Sequence, residues 1–324
     1  MKIKILNTIK NFTPDAKDIL TDLGSVDYIN LDQDDLFEKI SEYNILIIGL
    51  GLNINRKIIN NAKNLELIVT ATTGLDHIDL EYAQRKDIKV ISLKGEEKFL
   101  DSITGTSELA FGLMICLMRL IVPSFNSMMK YEFNRERFKG HNLSGNTLGV
   151  VGLGRLGKQM VKYANAFDMK VIAYDPYVEK KVFKKFNCQK VSFETLVKES
   201  DVVSIHIHQS NETEGMFNRE TFQNMKNTTY LINTSRGKIV NENELLYALE
   251  NRIIAGYATD VLADESNFIS NFNNHVLIEY AKNNENCLIL PHTGGMTFES
   301  REATDIFIAK KIVDEINNRK PDID

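Results

Sequence analysis

The stretch Thr147-Leu-Gly-Val-Val-Gly-Leu-Gly-Arg-Leu-Gly157 decides the fold, because it reads as a strand running into a glycine turn and out into a helix. Gly152, Gly154 and Gly157 fall at the G-x-G-x-x-G spacing. Such a turn needs its first glycine to bend sharply, its second to let backbone approach a pyrophosphate, and its third to pack helix closely on strand. Arg155 and Leu156 open the helix, whose N-terminus faces the phosphate charge. A glycine triplet alone is weak evidence. Here the next apolar run, 171–174, ends in Asp175, an acid at the end of the second strand. An acid there accepts bonds from adenosine ribose hydroxyls and repels a 2′-phosphate, which predicts NAD rather than NADP.

The rhythm on either side of the turn is that of parallel sheets covered by helices. Apolar runs at 3–7, 26–30, 45–49, 67–71 and 89–92 are separated by helix-period segments such as 14–23, 34–41 and 56–63. A second series occupies 147–153, 170–175, 201–206, 229–233, 255–261 and 288–291. Between them runs a long apolar helix, 108–119, which Pro123 is expected to stop or kink, and then an aromatic, charged arm, 128–138. Ile306, Ala309, Ile312, Val313 and Ile316 give the last segment helical spacing. The pattern predicts an α/β protein of two doubly wound parallel-sheet domains. Residues 1–100 plus 292–324 would form one and 101–291 the other, with a cleft between them as the place for a ligand.

Composition excludes several classes. Of 324 residues, 43% are hydrophobic and 26% charged, as in soluble globular proteins. A net charge of -5 argues against a nucleic-acid partner. Cys116, Cys188 and Cys287 are scattered without a CxxC pair, so neither a metal site nor a disulfide framework is expected, and a reducing cytoplasm fits. No secretion signal appears, nor any run of about 18 apolar residues that could span a membrane.

Polar residues cluster where the later strands end, the usual ligand edge of open α/β sheets. Asn233 runs into Thr234-Ser-Arg-Gly237, Thr259 into Asp260, Asp264 and Glu265, and Leu290 into Pro291-His-Thr-Gly-Gly295. An arginine can hold a carboxylate in bidentate fashion and polarise a carbonyl. An imidazole can give or take a hydroxyl proton, and a paired carboxylate orients it. Beside a nicotinamide site, these three groups suit hydride transfer to a keto acid.

With these motifs in place, the chain resembles the D-isomer-specific 2-hydroxyacid dehydrogenases, especially their phosphoglycerate-dehydrogenase-like branch, over nearly its whole length. Ala71-Thr-Thr-Gly-Leu-Asp-His-Ile-Asp79 resembles the substrate loop, which implies that the amides of Thr73 and Gly74 receive a substrate carboxylate. The resemblance implies a flavodoxin-like substrate domain and a Rossmann NAD domain. It makes Arg236 the substrate-binding arginine, Glu265 the partner of His292, and His292 the acid/base. It gives the cofactor Gly152, Gly154, Arg155, Leu156, Gly157, Asp175, His206, Thr234 and Asp260, with Asp260 at the nicotinamide carboxamide. The family usually has His-x-Pro where this chain has His206-Ile-His208, and Pro where it has Ser266 after Glu265. Asp264 is therefore the alternative partner for His292. With the sequence running to Asp324, no appended regulatory domain is expected, and the resemblance implies a homodimer. The expected activity is interconversion of a 2-keto acid and a D-2-hydroxy acid, of phosphoglycerate, glycerate or glyoxylate type. An NAD(H)-sensing protein of the corepressor kind is the alternative. Formate chemistry is disfavoured by Glu265 in place of Gln.

Overall fold

The computed structural model describes residues 3–263, 265 and 274–318. The chain divides into two compact units, one of Met1–Ser102 with Thr297–Asp324 and the other of Ile103–Met296. The return crossing thus lies beyond the 291/292 step read from the sequence, and His292 stays in the second unit.

In the first unit, β1 (Ile3–Asn7), β2 (Gly24–Tyr28), β3 (Ile45–Ile48), β4 (Leu67–Thr70) and β5 (Lys89–Ile91) pair in parallel in the order β2-β1-β3-β4-β5. This is the flavodoxin-like order of doubly wound sheets. Leu6, Leu46, Ile48 and Ile68 pack on one face with Leu36, Ile58 and Ile59 from the helices Gln33–Lys39 and Arg56–Asn61. Alternation turns Ile5, Ile47 and Val69 to the other face. There the helix Phe298–Asn318 packs against the helix Pro14–Thr21 and against β4 and β5. The C-terminal helix thereby completes the first sheet.

Asp305 ties that helix in place and is fully buried. Its Oδ2 accepts from the amide of Thr13, at the start of the helix Pro14–Thr21, and its Oδ1 lies 3.1 Å from Arg301 Nη2. Burial pushes its carboxyl up to about 6, against the opposing pull of Arg301 and the Thr13 amide. A carboxyl whose folded value is raised disfavours folding once it ionises. No penalty applies below the unfolded value near 4, and it becomes full above about 6, with a size on the order of 3 kcal/mol. Asp305→Asn is therefore expected to flatten the fall in Tm between pH 4.5 and pH 7.5, measured by thermal unfolding. An unchanged pH slope would contradict this.

In the second unit, β6 (Thr147–Val151), β7 (Lys170–Tyr174), β8 (Gln189–Lys190), β9 (Val202–Ile205), β10 (Tyr230–Asn233), β11 (Gly256–Thr259) and β12 (Cys287–Ile289) form one parallel sheet. The order is β12-β11-β10-β9-β6-β7-β8. The order reverses at β6, which lies between β9 and β7, the topological switch point where such sheets bind ligands. Helix Gly105–Met118 packs on β10 and β11, burying Ala110, Met114 and Leu117. It does not end at Pro123, as the sequence suggested. The break falls at Leu120, in the left-handed region at φ 51°, and the helix Ile121–Met129 departs at 64°. Pro123 sits in the first turn of that second helix, where its missing N–H costs nothing. Among the described residues, no single helix is long and apolar enough to cross a membrane.

Candidate active site

Parallel register explains how residues scattered over the second unit reach one edge. Tyr174, Val151, Ile205, Asn233, Thr259 and Ile289 form a continuous cross-strand row. The next residue along each of the first five strands is Asp175, Gly152, His206, Thr234 and Asp260 respectively. Every one was singled out from the sequence, and one step past the row brings them to the C-terminal edge of the sheet.

Each glycine of the turn has its own physical reason. Gly152 has φ +95°, and a Cβ there would stand 2.6 Å from the His206 carbonyl oxygen. A Cβ on Gly157 would stand 2.0 Å from the Gly152 carbonyl oxygen, so helix and turn touch backbone to backbone. A Cβ on Gly154 would meet nothing within 4 Å, which leaves open space over the N-terminus of the helix Arg155–Ala166. Asp175 braces the turn, its Oδ2 accepting from the Leu153 amide at 2.9 Å and its Oδ1 from the Tyr177 amide at 3.0 Å. Arg155 donates from Nη1 to the Ile103 carbonyl. The Tyr177 hydroxyl donates to Glu212 Oε2 at 2.8 Å. That bond links the loops after β7 and β9, the two strands that flank β6.

The edge also offers polar atoms suited to a dinucleotide. Thr234 Oγ1 and His206 Nδ1 are buried and have no hydrogen-bond partner among the described residues. His206 Nε2 bonds Ser204 Oγ at 2.8 Å, and burial holds the imidazole down at about 4, so the ring stays neutral near neutral pH. Open space at Gly154, an acid at Asp175 and two orphaned polar atoms beside the switch point fit NAD.

Beyond Asn233 the backbone is stapled. Asn233 Oδ1 accepts from the Ser235 amide and its Nδ2 donates to the Arg236 carbonyl, both at 3.0 Å. Arg236 Nη1 donates to the Ser235 carbonyl at 2.8 Å. Asp260, only 1% exposed, organises the loop after His292. Its Oδ1 accepts from the Thr293 amide at 2.7 Å and the Thr293 hydroxyl at 3.2 Å, and its Oδ2 from the Gly294 amide at 2.7 Å. That leaves one lone pair on Oδ2 for a further donor. The loop so held presents His292 at φ +54°, an uncommon backbone state for a non-glycine residue. His292 Nδ1 donates to Glu265 Oε1 at 2.7 Å, while Glu265 Oε2 accepts from the Leu262 amide at 3.3 Å. Both side chains remain about one-third exposed. His292 Nε2 has no hydrogen-bond partner among the described residues. Asp264, the alternative partner, lies outside the described residues.

Thr73 and Gly74 follow β4 in the first unit. Thr72 Oγ1 donates to the Gly74 carbonyl at 2.7 Å. Among the described residues no backbone carbonyl accepts from the amides of Thr73 and Gly74. His77 is buried in the same loop and its carbonyl accepts from Ile54, a structural role.

One histidine departs from its sequence reading. His275 reads as a surface residue from its polar neighbours, yet its side chain is 14% exposed and its Nε2 lies 3.1 Å from Glu242 Oε2. Nothing in the sequence signals a pair between positions so far apart.

Residues 111–294 match the family model described as D-isomer specific 2-hydroxyacid dehydrogenase, NAD binding domain. The D-3-phosphoglycerate dehydrogenase of Methanocaldococcus jannaschii is 33% identical over 92% of this chain. The chain spans only 55% of that relative's length. The glyoxylate reductase of Thermococcus litoralis is 32% identical over 86% of this chain and 82% of its own. Among solved structures, the D-lactate dehydrogenase of Aquifex aeolicus, complexed with NAD and lactic acid, superposes with a TM-score of 0.86. It is 27% identical and matches 97% of this chain and 96% of its own.

Proposed function

Because the chain belongs to the D-isomer specific 2-hydroxyacid dehydrogenases, we propose that it interconverts a 2-keto acid and the corresponding D-2-hydroxy acid with NAD as cofactor. The observation that carries this is the His292–Glu265 hydrogen bond, between the segments that follow β12 and β11 of the sheet that carries the glycine turn, with no described partner at His292 Nε2. NAD, when bound, supplies or takes the hydride. His292 gives its Nε2 proton to the carbonyl oxygen during reduction and takes it back during oxidation. Glu265 fixes the ring orientation and stabilises the imidazolium. Arg236 binds and polarises the acid. The amides of Thr73 and Gly74, from which no described backbone carbonyl accepts, form a carboxylate-binding turn in the first unit, which we assign as the substrate domain.

On the cofactor side, Gly152, Gly154, Arg155, Leu156 and Gly157 cradle the pyrophosphate, and Asp175 takes the adenosine ribose hydroxyls. His206 and Thr234 line the nicotinamide end, and the spare Oδ2 lone pair of Asp260 receives the carboxamide. Two further assignments have support of their own. Ile121, Val122, Phe125, Met128 and Met129 are between 40% and 62% exposed on one short helix, an apolar surface that suits a homodimer interface. The three free cysteines suit a reducing cytoplasm.

The test is NADH oxidation across hydroxypyruvate, glyoxylate, pyruvate, 2-ketoglutarate and 3-phosphohydroxypyruvate. Turnover of at least one is expected. Tight NADH binding with an inert panel would instead favour a sensing protein.

A further inference from the structure

We infer that Glu242, backed by His275, is a positioning residue that holds Glu265 against His292; this rests on the functional assignment of that pair above. Glu242 opens the helix Glu242–Glu250, shortly after Arg236 in the chain and well before Glu265. Its carboxylate reaches back to the segment that leaves β11. Oε1 accepts from the Ala263 amide at 2.8 Å, and Oε2 lies 3.1 Å from His275 Nε2. The side chain is only 13% exposed, so the charge is largely withdrawn from water.

The segment it grips is the one that orients Glu265. The Leu262 amide donates to Glu265 Oε2, and Oε1 then accepts from His292. Glu242 therefore holds the amide next to the one that holds Glu265. On another side, Gly237 presses on the same two residues. A Cβ there would stand 2.0 Å from the Leu262 carbonyl carbon and 2.2 Å from the Ala263 nitrogen. Leu262 itself is anchored in the apolar core. Backbone contact at Gly237 and a charge-assisted bond from Glu242 leave the Leu262–Ala263 peptide little freedom. Removing the Glu242 carboxylate leaves the Ala263 amide without its acceptor and lets that peptide shift. A displacement of about 1 Å at a catalytic group can lower the rate by about a hundredfold.

A double-mutant cycle tests this, with kcat and KM for whichever keto acid turns over and the NADH dissociation constant from fluorescence titration. Glu242→Ala is expected to lower kcat by about tenfold or more while KM and NADH affinity move by less than about threefold. Glu242→Gln keeps an oxygen for the Ala263 amide and is expected to restore most of the rate. In a Glu265→Ala background, Glu242→Ala should cost almost nothing further, because the group it positions is gone. If Glu242→Ala does not fold, His275→Ala, which takes away the contact at Oε2, carries the same cycle with a smaller loss. Full additivity with Glu265→Ala, or a Glu242→Gln variant as impaired as Glu242→Ala, overturns the inference. A Glu265→Ala variant with full kcat would overturn the Glu265–His292 assignment itself, and this inference with it.

Discussion

Replacing His292 by asparagine is expected to lower kcat by about a hundredfold to ten-thousandfold, the range for removal of a general acid/base. Asparagine is the cleaner substitution because His292 sits at φ +54°, a state that asparagine tolerates better than alanine. The loop itself should survive, since it is held by Asp260 through the Thr293 and Gly294 amides rather than through the imidazole. Glu265 would keep its Leu262 contact but lose the donor at Oε1. NADH affinity should therefore change by less than about threefold, because the deficit belongs to the reacting step. Steady-state kinetics beside a fluorescence titration of NADH separates the two quantities. Wild-type kcat in His292→Asn would remove the imidazole from the chemistry.

Gly157→Ala is expected to abolish measurable NADH binding. The added Cβ would meet the Gly152 carbonyl oxygen at 2.0 Å and its carbon at 3.1 Å, and both are backbone atoms of the turn itself. Relief requires the helix Arg155–Ala166 to move away from β6, at a cost of about 1–3 kcal/mol in stability. The helix N-terminus moves with it, and an array of amides aimed at a pyrophosphate loses its aim. Gly154→Ala is the informative control, because its Cβ meets no protein atom within 4 Å. That variant should unfold at the wild-type temperature and yet bind NADH poorly, since its methyl group occupies the approach of the phosphates. If Gly157→Ala binds NADH as the parent does, the turn is not the nucleotide site.

Much of this architecture was legible because its determinants are local. The glycine turn, the acid after β7 and the polar residues after β10, β11 and β12 lie within a few residues of strand ends that apolar runs announce. Parallel register then aligns those ends without further information. Features that local sequence does not announce depend on distant partners. The strand β8 is only Gln189–Lys190, two polar residues whose state is set by pairing with Ile172 and Ala173. The second strand begins at Gly24, ahead of the apolar residues that signalled it, because its register follows β1. The helix break came at Leu120 because that residue adopts a left-handed conformation, which proline content does not announce. Within the site, roles were readable but their bracing was not. Asp260 reads as a ligand for the cofactor, and its three bonds to the loop after His292 emerge only in three dimensions. The grip of Glu242 on Ala263 and its pairing with His275 join residues with no periodic or motif relation.

The most direct measurement carries the keto-acid panel through to product. With NADH and whichever keto acid is consumed, the product is resolved on a chiral column and matched to NADH lost. The expected result is one D-2-hydroxy acid per NADH oxidised. An L-enantiomer, a racemate, or no consumption of NADH despite its binding would contradict the assignment.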